Sequence, residues 1–155
     1  MIELPDAELR ERLHTALAVR RWVTDVASRA PFADLDELLG VARAEATPLA
    51  PDEVLEAIAH HPRIGEKPKG ASASAVMSRS EQGSSEELAE ELAAGNAAYE
   101  ERFGRIFIIR AAGRSRAEIL SELHRRLELD DDTELRIVGE QLRDIALLRL
   151  EQLFA

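Results

Sequence analysis

Cysteine is absent from the chain, which excludes disulfides, thiolate nucleophiles and zinc–thiolate sites. Aromatic residues are scarce at 4%, a bias that favours helix over strand. Basic side chains are outnumbered, 20 against 30 acidic ones, for a net charge of −10. An acidic chain without a basic tract is a poor partner for nucleic acid or an anionic membrane surface. No apolar run reaches the roughly 18 residues of a membrane span. Met1 to Asp6 lacks the basic and apolar regions of a signal peptide, and Glu151 to Ala155 is not a peroxisomal tripeptide. The expected location is therefore the cytoplasm. A glycine-rich strand-to-helix turn for a nucleotide and a Gly-x-Ser-x-Gly elbow are both missing. The four histidines show no metal-ligand spacing, since neighbours on a helix diverge by about 100°. No metal and no cofactor is expected.

What is present favours helix. The 155 residues are 45% hydrophobic and 32% charged, rich in Ala, Leu, Glu and Arg. That length suits one domain with a sizeable core. Asp6 caps an expected first helix over 6–29, and Asp34 a second over 35–46. Pro51 opens a third that runs to His61. Residues 63–83, with their glycines, lysines and serines, read as a loop. Ser84-Ser85-Glu86-Glu87 resembles a capping box before a helix to about Arg102, with Gly104 as its C-cap. Ser115 caps a helix through Leu127, and Asp130-Asp131-Asp132 starts the last one. Ile106-Phe107-Ile108-Ile109 could be a strand, but no second strand is visible to pair with it. Its backbone groups would then need other partners, such as a polar ligand, water or helix ends. The expected fold is all-α, a single domain over 1–155 built as a bundle of about seven or more helices.

Three polar residues stand out. His61 follows Val54 and Ile58 at helical spacing, so it shares their apolar face, while His60 points elsewhere. Pro62 disfavours helix at His61, and Gly65 permits a sharp turn soon after. A helix C-terminus favours a protonated imidazole and burial a neutral one, so His61 is expected to titrate near neutrality, as proton transfer requires. The bland reading is a core histidine bonded to a carbonyl. Glu81 is the second, although Ser78 and Glu81 also fit a capping box. Arg149 is the third, within about 40° of Val138, Leu142 and Ile145 on an apolar stripe. A buried arginine must find an acceptor, either a protein carboxylate such as Glu81 or the carboxylate of a ligand.

Taken together, His61-Pro62-Arg63-Ile64-Gly65, Ser78-x-x-Glu81-Gln82 and Asn96-x-x-Tyr99-x-x-Arg102-Phe103-Gly104-x-x-Phe107-Ile108-Ile109 resemble the 2-oxo-4-hydroxy-4-carboxy-5-ureidoimidazoline (OHCU) decarboxylase family. Arg125-Arg126-Leu127 and Ile145-x-x-x-Arg149-Leu150 are similar to it as well. The resemblance implies a helical homodimer that makes (S)-allantoin during urate degradation, without metal or cofactor. It implies His61 as catalytic acid/base, Glu81 and Gln82 as substrate-orienting residues and Arg149 as the anion-binding arginine. Pro62, Ser78 and Gln82, with Phe107, Ile108, Ile109 and Ala111, would line the substrate. The small-molecule substrate would come from an upstream hydroxyisourate hydrolase. The chain departs from the family pattern in keeping Trp22 without a preceding Ser-Pro and in carrying Arg110 where a smaller residue is common. The rival reading is a helical interaction module in which His61 and Arg149 are structural, or a decarboxylase of another ureido or imidazoline acid.

Overall fold

The first apolar stretch does not stay on one helix. Ala16, Leu17, Ala18 and Val19 are consecutive and all buried, which one face of a continuous helix cannot achieve. The chain therefore breaks there, with Leu17 extended at φ −152°, ψ 111°. The expected helix over 6–29 is two helices, α1 (Asp6–Ala16) and α2 (Arg20–Ala27). The new start is capped from a distance: the Arg20 N–H donates to Glu56 Oε2 at 2.9 Å. The structure, a computed structural model, describes residues 1–61 and 88–155.

Five more helices complete the described residues: α3 (Leu35–Glu45), α4 (Pro51–Ile58), α5 (Ala89–Phe103), α6 (Arg116–Leu127) and α7 (Asp131–Leu153). Several starts follow the caps read from sequence. Glu37 N–H donates to Asp34 at 2.8 Å, Glu118 N–H to Ser115 at 3.1 Å, and Thr133 N–H to Asp130 at 3.1 Å. Gly104, at φ 72°, ends α5 in the left-handed region that favours glycine. The proposed capping box at Ser84 to Glu87 lies outside the described residues. No strand occurs among the described residues; one antiparallel bridge pairs Ile2 with Phe32. The architecture is all-α.

Helix α7 is the axis of the larger group, packing on α1, α3 and α4. Its inward residues include Val138, Leu142, Ile145 and Leu150. They meet Leu13, Trp22, Leu38 and Val54 in one core cluster. Trp22 is fully buried and its indole N–H donates to Ala42 O at 3.0 Å, so its one polar atom carries no desolvation cost. A second cluster joins α5 to α6 through Leu92, Tyr99, Ile119 and Leu123. Gly95 permits that approach, since a Cβ there would collide with the Leu123 side chain.

Segment 106–111 is the seam between the clusters. Ile106 and Ile108 pack with the first, while Phe107, Ile109 and Ala111 pack with the second. This alternation has the period of two that an extended chain imposes.

Candidate active site

Helix α4 turns Val54 and Ala57 inward and stops at Ile58, three residues before the expected end. Continuing would require Pro62 to donate to the Ile58 carbonyl, and proline has no N–H. The His61 N–H takes that carbonyl instead, at 3.0 Å, and the His60 N–H takes Ala57 O at 3.1 Å. The last turn is thus tightened, and His61 sits just past the helix. It is half-buried, whereas His60 is exposed. The His60 ring meets His14 of α1 edge-on, with centroids 5.4 Å apart.

Arg149 lies on α7 and is only 1% exposed, deep in the stripe predicted for it. Its Nη1 donates to the Thr15 carbonyl at 3.4 Å. Thr15 belongs to the last turn of α1, where unsatisfied carbonyls leave a partial negative charge. The C-terminal ends of α1 and α4 and the late turns of α7 therefore converge, with His61 and Arg149 between them.

The electrostatics correct one expectation. His61 does not titrate near neutrality: its pKa is lowered to about 3, first by burial, then by the positive charge of Arg149, then by His60. The opposing pull of the helix terminus is weaker than burial and a nearby guanidinium together. The imidazole is therefore neutral across the physiological range, a proton acceptor rather than a ready acid.

Phe107, Ile108, Ile109 and Ala111 are all buried. Two backbone groups of their segment are held by side chains: Ile108 O accepts from Arg126 Nη1 at 2.7 Å, and the Arg110 N–H donates to Gln141 Oε1 at 2.9 Å. Arg110 itself donates to Ala112 O at 3.2 Å. Of the other predicted site residues, Pro62, Ser78, Glu81 and Gln82 lie outside the described residues, as does any Glu81–Arg149 pair.

Sequence reasoning missed a buried network beside this wall. Arg126 and Glu134 are both fully buried and form a forked pair. Arg126 Nε reaches the two carboxylate oxygens at 2.6 and 3.0 Å, and Nη2 adds a further contact to Oε1. The Tyr99 hydroxyl donates to the same carboxylate at 2.8 Å, and the guanidinium stacks on Phe107 at 4.6 Å. Burial first, then the Glu134 charge, push the Tyr99 phenol upward, so it stays a donor. The signal was present: Arg126 follows Ile119 and Leu123 at helical spacing, and Glu134 precedes Val138 and Leu142 in the same way.

A groove of about 410 Å³ lies elsewhere, between the α3–α4 link and the first half of α7, over Pro48, Leu49, Val54, Leu135 and Gly139. Neither His61 nor Arg149 lines it. Among the described residues no three His, Asp or Glu side chains converge as metal ligands would, and no helix is long and apolar enough to cross a membrane.

A family model described as OHCU decarboxylase matches residues 3–151. The uric acid degradation bifunctional protein TTL of Arabidopsis thaliana is 38% identical over 108 residues, covering 65% of this chain and 33% of that protein. The chain therefore spans a minor part of that plant relative. The 2-oxo-4-hydroxy-4-carboxy-5-ureidoimidazoline decarboxylase of Haloferax volcanii is 28% identical over 144 residues, covering 86% of this chain and 82% of the relative. Among solved structures, an OHCU decarboxylase crystallised in the presence of (S)-allantoin superposes with a TM-score of 0.77 at 29% identity. That match covers 93% of this chain and 97% of the other. An (S)-allantoin synthase structure, at 18% identity and a TM-score of 0.67 over 96% of this chain and 50% of that one, shares the fold.

Proposed function

The chain belongs to the OHCU decarboxylase family, and on that premise we propose that it converts 2-oxo-4-hydroxy-4-carboxy-5-ureidoimidazoline to (S)-allantoin in urate degradation. The observation that carries the proposal is the convergence of His61 and Arg149 at the ends of α1, α4 and α7.

In this reaction the bond to the carboxylate breaks and carbon dioxide leaves. The electron pair passes into the adjacent ring C=N, whose nitrogen takes a proton, so the substrate supplies its own electron sink. The neighbouring hydroxyl then loses its proton as the ring carbonyl forms, and the ureido-bearing carbon gains one. A neutral His61 suits that exchange, because it accepts the hydroxyl proton and, once protonated, delivers it to carbon on one face. Positioned proton transfer of this kind contributes about 10²–10⁴-fold. Arg149 supplies the positive charge that holds the substrate anion beside the imidazole. By the family resemblance Glu81 and Gln82 orient the hydroxyl and ring, Pro62 and Ser78 contact the substrate, and Phe107 to Ala111 form a wall of its site. The same reading takes residues 1–155 as one domain, working as a cytoplasmic homodimer downstream of a hydroxyisourate hydrolase, with no metal or cofactor.

The test generates the unstable intermediate from urate with upstream enzymes, in deuterated water with chelator present. Wild type should give a single labelled enantiomer of allantoin. His61→Asn should give slow, nearly racemic product, and His60→Asn should resemble wild type. Racemic product from wild type, or equal losses from both substitutions, would overturn the mechanism.

A further inference from the structure

The segment that carries the proposed substrate wall is held along one edge by two side chains, Arg126 and Gln141. In an extended chain, the C=O of one residue and the N–H of the residue two further on face the same edge, and the groups of the intervening residues face the opposite edge. The Ile108 carbonyl bound by Arg126 and the Arg110 N–H bound by Gln141 are such a couple. No strand supplies these contacts among the described residues; an arginine and a glutamine do. The opposite edge then presents the Phe107 C=O with the Ile109 N–H, and the Ile109 C=O with the Ala111 N–H. The Ala111 carbonyl beyond them is already taken by the Arg114 N–H at 3.1 Å. An alternating row of acceptors and donors is what a cyclic amide or ureido group matches by adding itself as a strand would.

Each holding residue is itself fixed. The Glu134 fork and the Phe107 ring leave Arg126 one orientation. Gln141 projects from α7, the helix that also carries Arg149, eight residues further on. A rise of 1.5 Å per residue sets those two positions about 12 Å apart along one rigid axis. The grip on the amide-reading wall and the anion-binding charge therefore share one helix.

We propose that Gln141, with Arg126, is a positioning residue of the reaction: it occupies one edge of segment 106–111 so that the opposite edge is aligned for the ureido and ring amides of the substrate. The inference rests on the decarboxylase reading. Its weight falls on Gln141, because Arg126 belongs to a buried pair whose loss threatens folding.

The experiment compares full-length wild type with Gln141→Leu, which removes the acceptor, and Gln141→Glu, which keeps one at the same reach. KM and kcat are measured on the enzymatically generated intermediate, and Kd is measured for (S)-allantoin. Gln141→Leu should raise KM and Kd about tenfold as the wall loses its alignment, with kcat little changed and a modest fall in Tm from the orphaned Arg110 N–H. Gln141→Glu should restore both constants to within about twofold of wild type. Unchanged constants in Gln141→Leu, or equal impairment in both variants, would overturn the proposal. If wild type fails to form allantoin while Kd still follows the Leu and Glu variants, the reaction reading falls and takes the role in the reaction with it, leaving Gln141 a role in ligand binding only. Turnover that ignores Gln141 overturns the positioning role alone.

Discussion

The guanidinium of Arg149 stands close enough to His61 to hold a proton off its ring, adding to the effect of burial. Removing that charge should let the imidazole titrate higher. In Arg149→Leu the His61 pKa, followed by NMR of the ring protons, should rise from about 3 and remain below 6.5, since burial is the larger cause. Affinity for (S)-allantoin should fall more than Tm. An unmoved His61 titration would show that the two residues are electrostatically independent.

The same shift makes stability depend on pH. The unfolded chain protonates this histidine near 6.5 and the folded chain only near 3, so the unfolded state gains protons first as pH falls. Stability from His61 is complete above about 6.5 and declines below it. Glu53, held low by its bond to Arg21, adds its own loss only under the ordinary carboxylate range. Between pH 7.5 and 5.0, wild type should lose roughly 1–2 kcal/mol more than His61→Asn in urea titrations, allowing for the ring's remaining contact with water. Parallel pH profiles for the two proteins would refute a buried neutral imidazole.

The Arg126–Glu134 pair predicts compensation between single and multiple substitution. Arg126→Met leaves a buried carboxylate alone and should cost about 3–5 kcal/mol. Adding Glu134→Leu and Tyr99→Phe removes the orphaned charge and its donor, and most of that loss should return. Denaturant midpoints for the single and triple variants decide it. A triple variant less stable than the single one would mean that the network contributes net stability.

Much of this molecule was legible in local patterns. Asp34, Ser115, Asp130 and Gly104 mark helix ends by chemistry acting within four residues, and each does so in the structure. The Arg149 position followed from a single apolar stripe. What failed was set by distant groups. The break between α1 and α2 depends on where Leu17 and Val19 find a core, and its cap comes from Glu56, 36 residues away. The early stop of α4 was legible in principle, since Pro62 denies Ile58 its usual donor. The His61 pKa was not, because it reflects burial in the folded chain first and then an arginine 88 positions later. The strand-like run 106–109 kept its period of two but found side chains instead of a sheet.

The division of apolar residues into two clusters gives the protein a built-in pair of optical probes. The chain has one tryptophan and one tyrosine. Trp22 lies in the cluster around α7, and Tyr99 in the cluster between α5 and α6. Near-ultraviolet signals report fixed side-chain packing. The indole band therefore follows the body that carries Arg149, and the phenol band follows the α5–α6 pair together with its bond to Glu134 at the start of α7. Loosening confined to the α5–α6 pair would change the phenol band and spare the indole, so a simple spectrum can tell that regional opening from global unfolding without any label.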